Sequence, residues 1–214
     1  MAAKTRKIPL RSIIVLLLSL AILPGIHPET IRFSAESVES VLASGKESTR
    51  LRGDARVQTE RVEIHADEIE LSGEDNRFVN ARGGVYIHEK EKDLYLRGET
   101  LFYDREFDIL KMSGDATLDD RGNDVLARAG IIENRGRDNI SLIQIGVRIL
   151  RTDLVARAEL VRYERDTQIL ELSGQPVVYS DGDEYRAGRI IVDLETDDIR
   201  LEGRVQGLIQ DRSQ

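Results

Sequence analysis

The sequence contains no cysteine and no tryptophan, only three histidines, and 5% aromatic residues. The missing cysteines exclude disulfides, thiolate metal sites, a cysteine nucleophile and a lipidated N-terminal cysteine. They do not exclude an oxidising compartment, because an exported protein can do without bridges. With so few aromatics, a core must come from Ile, Leu, Val and Ala. The material for one exists. Of 214 residues, 40% are hydrophobic and 33% charged, which suits one folded domain or at most two.

Basic charge is the minority sign, with 31 Lys and Arg against 39 Asp and Glu. Four of the basic residues, Lys4, Arg6, Lys7 and Arg11, precede an apolar run from Ile13 to Leu23 that Pro24 and Gly25 interrupt. A basic stretch followed by such a run reads as a secretory signal. It falls short of the roughly 20 apolar residues of a comfortable transmembrane helix. Ser19-Leu20-Ala21 is the one small-x-small cleavage choice and it comes early, so a retained inner-membrane anchor stays open beside cleavage. Residues 1–28 are thus a signal peptide or anchor, 29–209 a single domain and 210–214 a tail. Without the leader, 27 basic residues face 39 acidic ones, a charge near −12. That argues against a nucleic-acid partner. It leaves lipid open, since apolar contact inside a cavity is indifferent to outer charge.

No catalytic centre or cofactor site stands out. His65 and His88 alternate with Ile64 and Ile87, which puts both histidines on the polar side of their strands, and His27 stands apart. No serine, histidine and acid arrangement has supporting spacing or a nucleophile elbow. Asp119 to Asp124 lacks the ligand order and distal glutamate of a calcium loop, and reads as a hairpin tip. Each recurrent glycine lies inside a strand pattern, so none suggests a phosphate-binding loop. The expectation is no enzyme, no metal and no cofactor.

What the chain does contain is a repeat. A small residue followed three places later by an aliphatic one occurs at Ala35/Val38, Ala66/Ile69, Gly98/Leu101, Ala129/Ile132, Ala158/Val161 and Ala187/Ile190, at spacings of 29 to 32 residues. A second half-motif, apolar-x-Gly-x-small/apolar, follows each by 16 to 18 residues, at Leu51-x-Gly53, Ala81-x-Gly83, Met112-x-Gly114, Leu172-x-Gly174 and Leu201-x-Gly203. The fourth copy departs, with Ile143-x-Ile145-x-Val147 and its glycine one place late at Gly146. Inside each copy the period is two. Ile31, Phe33 and Ala35 alternate with Arg32, Ser34 and Glu36, and Val62, Ile64 and Ala66 with Glu63, His65 and Asp67. Such alternation marks half-buried strands. The clusters Ser72–Asn76, Asp119–Asp124 and Asp181–Asp183 between them read as hairpin tips.

The expected fold is therefore all-β: a twisted antiparallel jelly roll of about six two-strand repeats, or roughly twelve or more strands. One face of every strand is apolar, so the sheet must fold over on itself and enclose an apolar slot between two facing sheets. Either side chains fill that slot as an ordinary core or it stays open. Alternation places Ile31, Phe33, Val62, Ile64, Ile69, Leu71, Val85, Ile87, Leu94, Leu96, Leu101, Met112 and Leu118 on its lining, with Arg32, Glu63, His65 and Arg97 facing water. A sheet that does not close leaves edges at both ends. Ile31 and Phe33 mark one, and Ile199, Leu201 and Val205 the other.

Ile31-Arg-Phe-Ser-Ala-Glu, Leu51-Arg-Gly-Asp-Ala-Arg-Val and Val62-Glu-Ile-His-Ala-Asp-Glu-Ile resemble the opening of the OstA-like family of LptA-type periplasmic lipopolysaccharide-transport proteins. The later Ala-x-x-aliphatic and Leu-x-Gly-x-Val copies extend the resemblance to about Leu208. It implies a periplasmic protein whose slot shields lipopolysaccharide acyl chains, with Ile31 and Phe33 at the family's lipid-facing first strand. It also implies head-to-tail stacking with copies or with membrane-bound partners, LptC-like at the inner membrane and LptD-like at the outer. An anchored LptC-like subunit and a non-catalytic adhesive sandwich are the alternatives. A carbohydrate-active enzyme is more distant, because no carboxylate pair stands out.

Overall fold

The computed structural model describes residues 30–41 and 48–210. The expected signal peptide or anchor, and residues 211–214 of the expected tail, lie outside the described residues.

Among the described residues, sixteen strand segments form one open antiparallel sheet. Eight are unbroken runs of eleven or twelve residues: β3 (Ser48–Gln58), β4 (Val62–Ser72), β5 (Phe78–Glu89), β6 (Leu94–Asp104), β7 (Ile109–Asp120), β8 (Val125–Arg135), β9 (Ile140–Leu150) and β10 (Leu154–Glu164). The rest are halves of four interrupted strands. They are β1 (Arg32–Ser34) with β2 (Ser37–Val41), β11 (Ile169–Ser173) with β12 (Val177–Ser180), β13 (Asp183–Arg186) with β14 (Arg189–Asp193), and β15 (Ile199–Glu202) with β16 (Gln206–Leu208). Eight continuous and four interrupted strands match six two-strand repeats.

Two of the interruptions, β11/β12 and β15/β16, fall at glycine half-motifs. The other two, β1/β2 and β13/β14, lie opposite such half-motifs, where Glu36 N–H bonds Gly53 O and Gly188 N–H bonds Gly203 O. At each half-motif two consecutive residues take left-handed backbone: Gly53 and Asp54, Gly83 and Gly84, Gly114 and Asp115, Ile145 and Gly146, Gly174 and Gln175, Gly203 and Arg204. The ladder register slips there, as between Arg82 and Val85 on β5. Such bulges bend a strand and strengthen its twist. Bends aligned from strand to strand crease the sheet, so each strand gives one half to each of two walls. The two facing sheets expected from the sequence are thus halves of one sheet.

The walls bury their shared inner face. Leu51, Ile69, Leu94, Met112, Leu118, Ile132, Ile143, Ile149, Leu170 and Leu172 are all fully buried. The turns also stack along the molecule. Lys90 N–H bonds Arg61 O at 2.9 Å, Arg105 N–H bonds Arg77 O at 2.9 Å, and Gly136 N–H bonds Asp108 O at 2.8 Å. The tips at Glu74–Asn76, Arg121–Asn123 and Asp181–Gly182 fall in the expected turn clusters. No helix among the described residues is long and apolar enough to cross a membrane.

Candidate functional site

The alternation in sequence places the inner-face residues. Ile64, Ile69, Leu71, Val85, Ile87, Leu94, Leu96, Leu101, Met112 and Leu118 are each 3% exposed or less. Ile31 and Val62 are partly buried against them. Phe33 differs. It pairs with Val57, which is buried, so it lies on the inner face, yet it is 52% exposed because its strand is the edge of the sheet among the described residues. On the outer face, Arg32 and Arg97 are exposed, while Glu63 and His65 are half-buried and bonded to each other at 2.6 Å. His88 stacks on Tyr95 at 4.3 Å. At the far edge Ile199 and Leu201 pack partly against the core and Val205 is 52% exposed.

The interior is filled by its own side chains. At the N-terminal end the walls leave an opening lined by Ile31, Val57, Val62 and Ile64 on one side and by Leu71, Val79 and Tyr103 on the other. The space inside it is about 20 Å³, or room for about one water. Of the two possibilities for the slot, side chains filling it describes this conformation.

Farther along, polar groups join the wall ends. Asp120, at the end of β7, is fully buried. It accepts hydrogen bonds from Tyr163 Oη at 2.9 Å, from Arg165 Nε at 2.6 Å and Nη2 at 2.9 Å, and from Asn123 Nδ2 at 3.0 Å. Arg165 also bonds Lys92 O at 3.1 Å, and Lys92 Nζ bonds Gly136 O at 3.2 Å. Burial alone would raise the Asp120 pKa. The bonds from Arg165, Asn123 and Tyr163 outweigh it and hold the carboxyl below its usual range. Burial and the adjacent carboxylate push the Tyr163 hydroxyl up, so it stays a donor. Next along, Arg151 bonds Leu194 O at 2.8 Å and Asp197 at 3.1 Å. These bridges join turns on opposite walls. Sequence reasoning missed them, because Asp120 and Arg165 lie 45 residues apart and only the repeat geometry brings them together.

No protein-family model matches the sequence, and no curated protein matches it. Among solved structures, the chain is similar to LptH, described as the LptA homologous periplasmic component of the conserved lipopolysaccharide transport device from Pseudomonas aeruginosa. The identity is 13% and the TM-score 0.28, over 86% of this chain and 96% of that one. A likeness at this level carries no functional argument.

Proposed function

We propose that the protein is a periplasmic, non-catalytic bridge that shields the acyl chains of lipopolysaccharide or a similar glycolipid between inner and outer membranes. One observation carries this reading: the apolar inner face extends to both edges of the open sheet. Phe33 and Val38 are 52% and 47% exposed at one edge, and Val205 is 52% exposed at the other. Val38 pairs with the fully buried Leu51, so it too lies on the inner face. A filled sandwich with no cargo has no need to present that face at its ends. The resemblance to the OstA-like family supports the same reading. It also supplies the LptC-like and LptD-like proteins as partners for the two edges.

Loading requires the walls to part, since about 20 Å³ at the opening holds no acyl chain. The Phe33 end is where entry starts, and the Asp120–Arg165 bridge holds the walls together farther in. Each methylene withdrawn from water is worth about 0.8 kcal/mol, so even part of one chain gives useful affinity. Photo-crosslinkers at Phe33 or Leu96 should label glycolipid in cells, and one at Arg32 should not. Equal labelling at Arg32 would refute an enclosed path. Organic extracts of the purified protein free of any glycolipid, together with no crosslink at Leu96, would favour the adhesive sandwich.

A further inference from the structure

The repeat has an outer-face rule that its fourth and sixth copies break. In copies one, two, three and five an acidic side chain lies over the bend glycine of the next strand. A Cβ on Gly53 would fall 2.4 Å from Glu36, one on Gly83 2.3 Å from Asp67, one on Gly114 2.6 Å from Glu99 and one on Gly174 2.6 Å from Glu159. In the sixth, Gly188 stands where the acid would be and only its Cα, at 3.9 Å, lies near a Cβ built on Gly203. In the fourth copy Gly130 replaces the acid and Ile145 replaces the glycine, and a Cβ on Gly130 would fall 3.0 Å from Ile145. The carboxylate is gone and a hydrophobe has taken its place.

Three arginines flank this gap. Arg128 on β8, Arg148 on β9 and Arg157 on β10 are direct cross-strand neighbours, all exposed on the outer face. At a strand spacing of about 4.8 Å the three lie within about 10 Å. None makes an ion pair or side-chain hydrogen bond among the described residues. The same-face acids alongside are Glu159, which accepts from Gly146 N–H at 3.4 Å, Asp115, on the rim of the shallow groove under Arg128 and Arg148, and Asp119, which pairs with Leu126 beside Leu150 and is neutralised by Arg121 at 3.4 Å. Like charges set directly opposite are destabilising, and this chain is acidic overall.

Exposed apolar side chains border the row. Leu150 and Val155, neighbours in register, are each 39% exposed on one side. Ile145 and Leu160, on the other, are 59% and 40% exposed. Ile145 has a φ of 72°, a left-handed backbone that is an outlier for a β-branched residue. It thus combines strain with exposure and gains little packing. Strain of this kind is retained where a surface has a task.

We infer that the outer face of β8–β10 is a docking surface for an anionic membrane surface, with Arg128, Arg148 and Arg157 meeting lipid phosphates and Ile145, Leu150, Val155 and Leu160 entering the headgroup layer. Charge complementarity selects anionic headgroups, and the apolar border selects a lipid surface over a free anion. At physiological salt the field decays over about 8 Å, so the local row acts on headgroups while the acidic remainder is screened. The inference does not depend on what the interior carries.

The test exploits the absence of cysteine. In the full chain, Leu150→Cys carries an environment-sensitive fluorophore, and Thr167→Cys, at a turn away from the row, serves as control. With vesicles containing phosphatidylglycerol the Leu150 label should move to an apolar environment and the Thr167 label should not. Pure phosphatidylcholine should leave both unchanged. Arg128→Gln, Arg148→Gln and Arg157→Gln together should abolish the response, each change weakening it about fivefold. The triple variant should also melt no lower than the parent, because it relieves like-charge repulsion. A response retained in the triple variant, an equal response to phosphatidylcholine, or one matched by inorganic polyphosphate alone would overturn the assignment. So would a drop in melting temperature, which would make the arginines structural.

Discussion

Asp120 shows how much one buried carboxylate can organise. Two bonds from Arg165, one from Tyr163 and one from Asn123 converge on it where the walls meet. Removing one partner of a buried pair leaves the other charge uncompensated, so Asp120→Asn should cost about 3–5 kcal/mol in denaturant unfolding. The pH dependence follows from the depressed pKa. The unfolded carboxyl titrates near ~4, and the folded one lower. The stabilisation is therefore fully present above about pH 4 and lost as pH falls through the folded value. Melting curves of the parent should drop across that acidic window, while those of Asp120→Asn should drop less. Equal slopes would show that Asp120 is not the titrating anchor.

Among the elements, the bent strand is the unit, and its bend explains which features were legible in the sequence. Period-two alternation assigned the inner face because a strand has no other way to bury one side. Ile64, Ile87 and Leu96 are buried where alternation puts them, and the turn clusters fall at the tips. The half-motif glycines were visible, but their role as paired left-handed residues was not, because it lies in the backbone. The Gly130–Ile145 exchange was equally hidden. It joins residues on neighbouring strands and needs the register before it has meaning. Phe33 was placed on the correct face, but its exposure depends on being last in the sheet. The exchange gives a prediction for this scale. Ile145→Gly should stabilise by roughly 1 kcal/mol by removing left-handed strain, less the entropy glycine adds to the unfolded chain. Gly130→Glu alone should destabilise, since its side chain meets Ile145 at the 3.0 Å contact. Made together, they restore the arrangement of copies one, two, three and five, and the double-mutant cycle should show favourable coupling. Additive effects would mean the two positions do not compensate each other.

For the whole molecule, the open question is what meets the free edges. β1 and β2 edge the sheet beside β3, and β15 and β16 edge it beside β14 and β13. Deleting residues from Ile199 onward would not isolate the C-terminal edge, because it would uncover β13 and β14 as a new one. Charges at exposed inner-face positions do better, since edge charge opposes pairing without burying a charge in the monomer. Phe33→Lys and Val205→Lys suit this, as both side chains are about half exposed. Joining unlike edges is a heterologous contact that propagates into open chains. Each variant alone should then stay monomeric in sedimentation, and each should keep the parent's melting temperature. Mixed together they should form a dimer and nothing larger, because one retains a working C-terminal edge and the other a working N-terminal edge. If like edges joined instead, Val205→Lys alone would still dimerise through its N-terminal edge, or Phe33→Lys alone through its C-terminal one, and the mixture would add no new species. A heterodimer from two silent monomers is an outcome that only head-to-tail pairing produces, and that pairing would run the apolar inner face unbroken from one molecule into the next.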